Sequence, residues 1–276
     1  MGRKIDMGGS ARSSLQIRHG IATGIGGRKS MEDTFCFHRC FGSSMRTFGG
    51  IFDGHSGSCA ALKAAKQMPG MFASYLPHLR RKRLKFEEHV AEAFRNAFLQ
   101  VSNDIELESD SGACAFCFFI QGKRLYYASV GDCNMVHVYG ESSESLAPTH
   151  RFTSCDERMR VCGVGGHVEK ERVWTNDHGL QVSRSLGDRG FKKIGVIAEP
   201  HTASRLLFPG SVLVVGSDGL FDALGSKIIE NCARKFGKEP QLLAKELAKR
   251  VKKSRKSSDN FTIITLYIDE THPENK

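Results

Sequence analysis

The chain has 276 residues, 40% of them apolar, and its 40 basic and 30 acidic residues leave a formal net charge of +10. That length suits one large domain or two small ones, and no apolar run approaches the roughly 20 residues of a bilayer-spanning helix. Nine cysteines without a dense framework argue against a disulfide scaffold and for free thiols in a reducing compartment.

Met1 to Arg18 is polar and has no signal-peptide core, so residues 1–19 are expected to form a flexible arm. Asp6 stands where a myristoylation pattern needs Ser or Thr. Residues 34–38 and 46–52 read as two strands joined by a loop with Gly42, Ser43 and Ser44. After Asp53-Gly54-His55 the pattern turns helical through Ala60, Ala61, Ala64, Ala65 and Met68, and Pro69-Gly70 predicts an end or a kink there. Residues 86–108 give the clearest helix, with Val90, Phe94, Ala97, Val101 and Ile105 in one apolar stripe that reads as core.

Strands follow at 113–120 and 125–130, separated by a hairpin signal, then at 134–139 and 212–216. Helices are expected at 227–236 and 241–252, and a last strand at 261–268. Strands that come as neighbouring hairpins, with helices in separate pairs, argue for antiparallel sheets covered by helices, not a doubly wound parallel sheet. Cys114 and Cys117 lie three apart on one strand, hence on opposite faces, which makes a shared metal a poor reading. The basic clusters at 80–85 and 252–256 read first as solvated helix ends or loops. Their functional readings are nuclear targeting, nucleic acid or acidic partners, and neither is interleaved with the aromatics of a single-strand-binding surface.

Glu32-Asp33, Asp53, Asp218 and Asp259 each sit at the end or edge of an apolar strand-like run. Carboxylates at strand ends, far apart in sequence, suggest one hard-cation site for hydrolytic chemistry on phosphate. Mg²⁺ and Mn²⁺ take oxygen ligands and keep several waters, so few carboxylates suffice. Arg28 adds a bidentate clamp for phosphate, and His55 an acid near neutral pH. Taken singly, Asp53-Gly54 and Asp218-Gly219 are plain turns, and His55 a structural histidine.

The ordered set is another matter. Arg28-Lys29-Ser30-Met31-Glu32-Asp33, Ile51-Phe52-Asp53-Gly54-His55-Ser56-Gly57, Ser111-Gly112-Ala113, Val130-Gly131-Asp132, the run from Val182 to Asp188, Glu199-Pro200, the run from Ser217 to Asp222 and Ser258-Asp259-Asn260 appear in one sequence. In this the chain resembles the PPM/PP2C family of metal-dependent protein Ser/Thr phosphatases. The resemblance implies an α+β, four-layer αββα sandwich of two antiparallel β-sheets flanked by helix pairs. It implies a phosphatase domain over residues 20–270 and a tail at 271–276.

It also implies hydrolysis of phosphoserine and phosphothreonine by a metal-bridging hydroxide, with no phosphoenzyme. Asp53 would then bridge two Mg²⁺ or Mn²⁺ ions, the Gly54 carbonyl would bind one of them, and Asp218 and Asp259 the other. Glu32 and Asp33 would hold metal-bound waters, Arg28 the substrate phosphate, and His55 would protonate the leaving oxygen. The partners implied are phosphoprotein substrates, with no nucleic acid or membrane required; the chain is expected to act as a monomer inside the cell, in cytoplasm or nucleus.

The chain departs from the family in places. Gly131-Asp132-Cys133-Asn134 stands where Gly-Asp-Ser-Arg is usual, which removes an expected structural ion pair. Thr149-His150 replaces Asp-His and argues against a third, weaker ion, since threonine is a poor ligand for a hard dication. The alternatives are a catalytically inactive scaffold of the same fold and a cysteine-dependent phosphatase using Cys40 and Arg46. The latter needs a phosphate loop leading into a helix, whereas Arg46 leads into a strand.

Overall fold

The computed structural model describes residues 15–79, 85–176, 178–255 and 258–270. It begins with β1 (Leu15–Gly24), so residues 15–19, expected in the arm, belong to a sheet. Positions 1–14, the tail at 271–276, residues 80–84 of the first basic cluster and Lys256 of the second lie outside the described residues. β2 (Thr34–Arg39) and β3 (Arg46–His55) form a hairpin. β3 runs past its expected end at 52, which places Asp53, Gly54 and His55 on the strand itself.

α1 (Cys59–Leu79) and α2 (Phe86–Glu106) come next. α1 does not end at Pro69-Gly70. A mid-helix proline costs about 3 kcal/mol, but Met68, Phe72 and Leu76 are buried around it, and each such side chain contributes roughly 1.5–3 kcal/mol. Burial therefore outweighs the breaker, with the Phe72 ring tilted against Phe94 of α2 at 4.4 Å between centroids. The predicted stripe of α2 is fully buried from Val90 to Ile105.

Then follow β4 (Gly112–Gln121), β5 (Arg124–Val130), β6 (Asn134–Tyr139), β7 (Ser142–Ser145), α3 (Cys155–Gly163), β8 (His167–Glu169), β9 (Arg172–Thr175), β10 (His178–Leu180), β11 (Leu186–Gly187) and α4 (Arg189–Lys192). The chain closes with β12 (His201–Leu206), β13 (Val212–Gly216), α5 (Asp218–Phe221), α6 (Ser226–Phe236), α7 (Pro240–Lys253) and β14 (Phe261–Glu270). α3 ends within the glycine-rich stretch 162–166.

One sheet has the order β1-β14-β13-β6-β7; the other runs β12-β5-β4-β3-β2, with β11 added beside β4. All these pairings are antiparallel. One core lies under α1 and α2 around Phe48, Phe72 and Phe94. A second fills the space between the sheets around Phe116, Leu213 and Ile264, and a third lies under α6 and α7 around Val214, Leu243 and Phe261. The molecule is thus the expected αββα sandwich. Cys117 enters the first core and Cys114 the second, on opposite faces of β4 as the spacing required. A small third sheet, β10-β9-β8, is not hydrogen-bonded to either large one, but its Val168, Val173 and Leu180 pack into the second core. Among the described residues no helix is long and apolar enough to cross a membrane.

Candidate metal centre and phosphate cleft

Both sheets end at one cleft of about 490 Å³. Arg28, Glu32, Asp53, Gly54, His55, Asp132, Asp218 and Asp259 line it. Asp53 comes from β3, Asp132 from the turn after β5, and Asp218 from the first residue of α5 after β13. Each carboxylate sits where an apolar strand has run out of core, so the backbone beneath it is rigid and the side chain lines the cleft. One oxygen from each of these three lies within 4.8 Å of the others.

The three repel one another. Burial, then the charges of Asp218, Asp33 and Asp132, push the Asp53 carboxyl well above its ordinary range. Burial, then Asp132, Asp259 and Asp222, push Asp218 up to about 7, against the pull of Arg151. A divalent cation bound among these carboxylates would offset their mutual repulsion and favour their charged forms. The donor set is all hard oxygen, which suits Mg²⁺ or Mn²⁺ and not a thiolate-seeking metal.

The other expected ligands are placed as follows. Gly54 is in contact range of the Glu32 loop; a Cβ there would stand 2.6 Å from the Glu32 carbonyl oxygen, so only glycine lets β3 pass. Glu32 lines the cleft and accepts from the Ser30 hydroxyl and the Gly57 amide, each at 3.2 Å. Asp33 lies deeper. It is buried, and Ser217 Oγ donates to it at 2.7 Å. Burial raises its pKa, and that hydrogen bond opposes the rise. Asp259 lies at the rim, where Arg28 Nη2 donates to it at 2.5 Å.

Asn260 ties the two rim segments together. Its Nδ2 donates to the carbonyls of Ile25 (2.8 Å) and Ser30 (3.0 Å), and its Oδ1 accepts from the Glu32 amide at 2.7 Å. Gly26 has φ of 61° and packs so closely that a Cβ would stand 1.9 Å from the Asp259 carbonyl oxygen. The hydrogen bond to Asp259, and then that residue's charge, hold the exposed Arg28 guanidinium even more firmly protonated.

His55 Nε2 is 2.8 Å from one oxygen of Asp188 and 3.0 Å from the other. Burial lowers the imidazole pKa, but the charge and hydrogen bond of Asp188, together with the charges of Asp132 and Glu32, outweigh it, so the net shift is upward. Asp188 is fixed in turn by Ser185 Oγ at 2.5 Å and by its own left-handed backbone, φ 55°.

Four features of the site were not singled out in the sequence. Asp132 stands in the sequence as part of a motif, and the structure places it with Asp53 and Asp218. The signal was present, since Leu125 to Val130 is one more apolar strand that ends in an acid. The partnership of Asp188 with His55 joins residues 133 positions apart. Arg172 of β9 adds a cation to the cleft wall. Arg151 enters from the far side: Nε donates to Asp132 at 2.7 Å, and Nη2 reaches Asp222 at 3.2 Å and Asp218 at 3.4 Å. Asp132 thus has an arginine partner from outside its own motif, Arg151. Asn134, in place of the usual arginine, bonds both polar groups of Ala147. Arg184, by contrast, is architectural, clamped to buried Glu157 at 2.6 Å.

The thiol alternative has no phosphate loop. Cys40 sits exposed in the β2–β3 turn, and the Arg46 guanidinium lies over the Phe119 ring, 6.0 Å from its centroid.

Comparison with known proteins gives a consistent picture. A "Protein kinase and PP2C-like domain-containing protein" of Arabidopsis thaliana is 32% identical over 266 residues, covering 88% of this chain and 38% of its own length. "Probable protein phosphatase 2C 25" of the same plant is 32% identical over 250 residues, covering 87% of this chain and 62% of its own length. The chain thus spans less than two-thirds of either relative. Among solved structures, the serine-threonine phosphatase 2C of Toxoplasma gondii superposes with a TM-score of 0.83 at 20% identity, over 94% of this chain and 96% of that one. The catalytic domain of the serine threonine protein phosphatase PstP, in complex with 2 manganese ions, does so with a TM-score of 0.62 at 18% identity, over 93% and 100%. At such identities these structures speak to the fold alone. The model of the family described as "Protein phosphatase 2C" matches residues 17–261, nearly the whole sandwich and every carboxylate of the cleft, and on that ground the chain belongs to the protein phosphatase 2C family.

Proposed function

We propose that the protein is a metal-dependent protein serine/threonine phosphatase. The observation that carries this reading is the convergence of Asp53, Asp132 and Asp218 within 4.8 Å, in one cleft with Arg28 and His55. Family membership supports it, as does the manganese pair of the PstP domain. The inactive-scaffold alternative fits less well, because the carboxylates that such a scaffold has no need of are all present and gathered.

Asp53, Asp132 and Asp218 would hold the divalent ions, with the Gly54 carbonyl, Asp259, Glu32 and Asp33 around them. Two ions of Mg²⁺ or Mn²⁺ suit this oxygen set. Bound there, such ions neutralise phosphoryl oxygens and acidify water. Arg28 orients the phosphate from the exposed rim through its planar fork of donors. His55 holds a proton for the leaving serine or threonine oxygen. With Nε2 engaged by Asp188, Nδ1 is the nitrogen that passes it on. Water attacks phosphorus directly, and no side chain becomes phosphorylated. A third ion is disfavoured, since Thr149 offers no carboxylate and the Arg151 guanidinium already lies among Asp132, Asp218 and Asp222.

The test is Mn²⁺-dependent hydrolysis of p-nitrophenyl phosphate and of a phosphoserine peptide by wild type and Asp218→Asn, with Mn²⁺ binding measured by calorimetry. The expected result is turnover abolished by EDTA and nearly absent in the variant, with the fold intact by circular dichroism. Comparable rates in both proteins would overturn the reading.

A further inference from the structure

α7 buries Leu243, Leu247 and Val251 and leaves Lys245, Lys249, Lys252 and Lys253 exposed. These lysines face β1 across a groove of about 540 Å³ floored by Ala22 and Thr23. The one carboxylate on the helix, Glu246, is paired with Arg250 at 2.8 Å. Among the described residues none of the four lysines is in an ion pair, so the charge of the groove is uncompensated. Lys252 alone has another contact, over the Phe261 ring.

The opposite wall is a strand edge. β1 is the outermost strand of its sheet. Ile21 satisfies its outward groups on the side chain of Gln241, its amide donating to Oε1 at 3.1 Å and its carbonyl accepting from Nε2 at 3.0 Å. By the two-residue repeat of a strand, Thr23 turns its own amide and carbonyl to the same edge, where the groove begins. Beyond Thr23 the chain passes through Gly24 to Gly27 and arrives at Arg28 on the cleft rim. The groove therefore combines a ladder position for an extended peptide, a row of cations for its side chains and continuity with the phosphate site. Among the described residues no aromatic side chain lines it, so it offers no stacking platform like that of a nucleic-acid channel, while peptides commonly add to a free strand edge.

We propose that this groove docks an extended acidic segment of the phosphoprotein substrate while its phosphoresidue sits at Arg28. The inference rests on the phosphatase reading above, and the experiment separates the two.

Phosphoserine peptides are compared with flanks of about ten residues on either side, each reaching roughly 33 Å when extended, the flanks being acidic, neutral or basic. The enzymes are wild type and the triple variant Lys245→Glu, Lys249→Glu, Lys253→Glu. Exposed charge pairs are individually weak, so wild type is expected to prefer the acidic over the neutral peptide by about tenfold in kcat/KM, mostly through KM. The variant is expected to lose that preference and turn toward the basic peptide, a reversal that no general loss of folding produces. An acidic-to-neutral ratio that stays the same in both proteins overturns the proposal. Fluorescence anisotropy of the unphosphorylated acidic peptide provides a readout without turnover. Equal binding by both proteins, or displacement of the peptide by a short RNA with a steep salt dependence, also overturns it. If no substrate is turned over with Mn²⁺, the phosphatase reading fails and the anisotropy still decides the groove.

Discussion

Arg151 grips Asp132 through Nε at 2.7 Å while its Nη2 leans toward Asp218 at 3.4 Å. One fixed positive charge is thus shared among carboxylates that would otherwise face one another unscreened. That charge must also repel an incoming dication. Arg151→Met is therefore expected to bind Mn²⁺ roughly three- to tenfold more tightly by calorimetry, while losing thermal stability in EDTA. Weaker Mn²⁺ binding in the variant would contradict this account of the arginine.

Asp188 holds His55 without touching the cleft carboxylates. Asp188→Asn keeps the shape and tolerates the left-handed backbone but removes the charge that raises the imidazole. General acid catalysis contributes typically 10²- to 10⁴-fold, and it matters most for a poor leaving group. Turnover of a phosphoserine peptide is expected to fall on the order of 100-fold, and that of p-nitrophenyl phosphate, whose leaving group is stable as an anion, by less than tenfold. Equal losses on both substrates would mean that Asp188 is only a scaffold.

His150 is buried, and its Nδ1 has no hydrogen-bond partner. Burial, and then the Arg184 charge, lower its pKa from 6.5 to about 4. A lowered folded value means that the unfolded chain takes up the proton first. The stabilisation is complete above pH 6.5 and is lost as pH falls from there toward 4. Its size is roughly 2–3 kcal/mol. Urea titrations of wild type should show ΔG falling across that window, and His150→Gln should show a shallower slope there. Parallel slopes would remove His150 from the acid response.

Gly26 combines a left-handed φ with a Cβ position 1.9 Å from the Asp259 carbonyl oxygen. Gly26→Ala is expected to cost about 2 kcal/mol or more, a fall in Tm of about 4–8 °C, and to loosen the Arg28–Asp259 contact. A higher KM for phosphopeptide should accompany the lower Tm. An unchanged melting curve would show that the rim adapts without strain.

Much of the architecture was legible in the residues because long apolar runs have one way to be buried. The stripe from Val90 to Ile105 and the runs of β4, β5, β13 and β14 fall into that class. β8, β9 and β10 have three or four residues each, too few for a period to register. The start of β1, residues 15–20, is largely polar and ends in glycine, so its own composition points to an arm; pairing with β14 along its full length makes it a strand. Pro69 misled for the same reason: local cost was visible and tertiary burial was not. In the cleft, acids that end apolar strands were readable one at a time, but Arg151, Arg172 and Asp188 arrive from segments whose own pattern says nothing of the carboxylates they meet.

The pairing of β1 with β14 matches Leu15 to Glu270 and Gly24 to Phe261. Strands at opposite ends of the described chain are therefore neighbours, and the rim they lead into is stitched by Asn260. During synthesis the early strand has no partner while the ribosome is still adding the residues before 261, and Arg28 stays apart from Asp259 until then. From the synthesis of residue 15 until residues 261–270 have emerged, the nascent polypeptide thus carries an open strand edge and an unfinished cleft, and the pairing of β1 with β14 closes both in one late step.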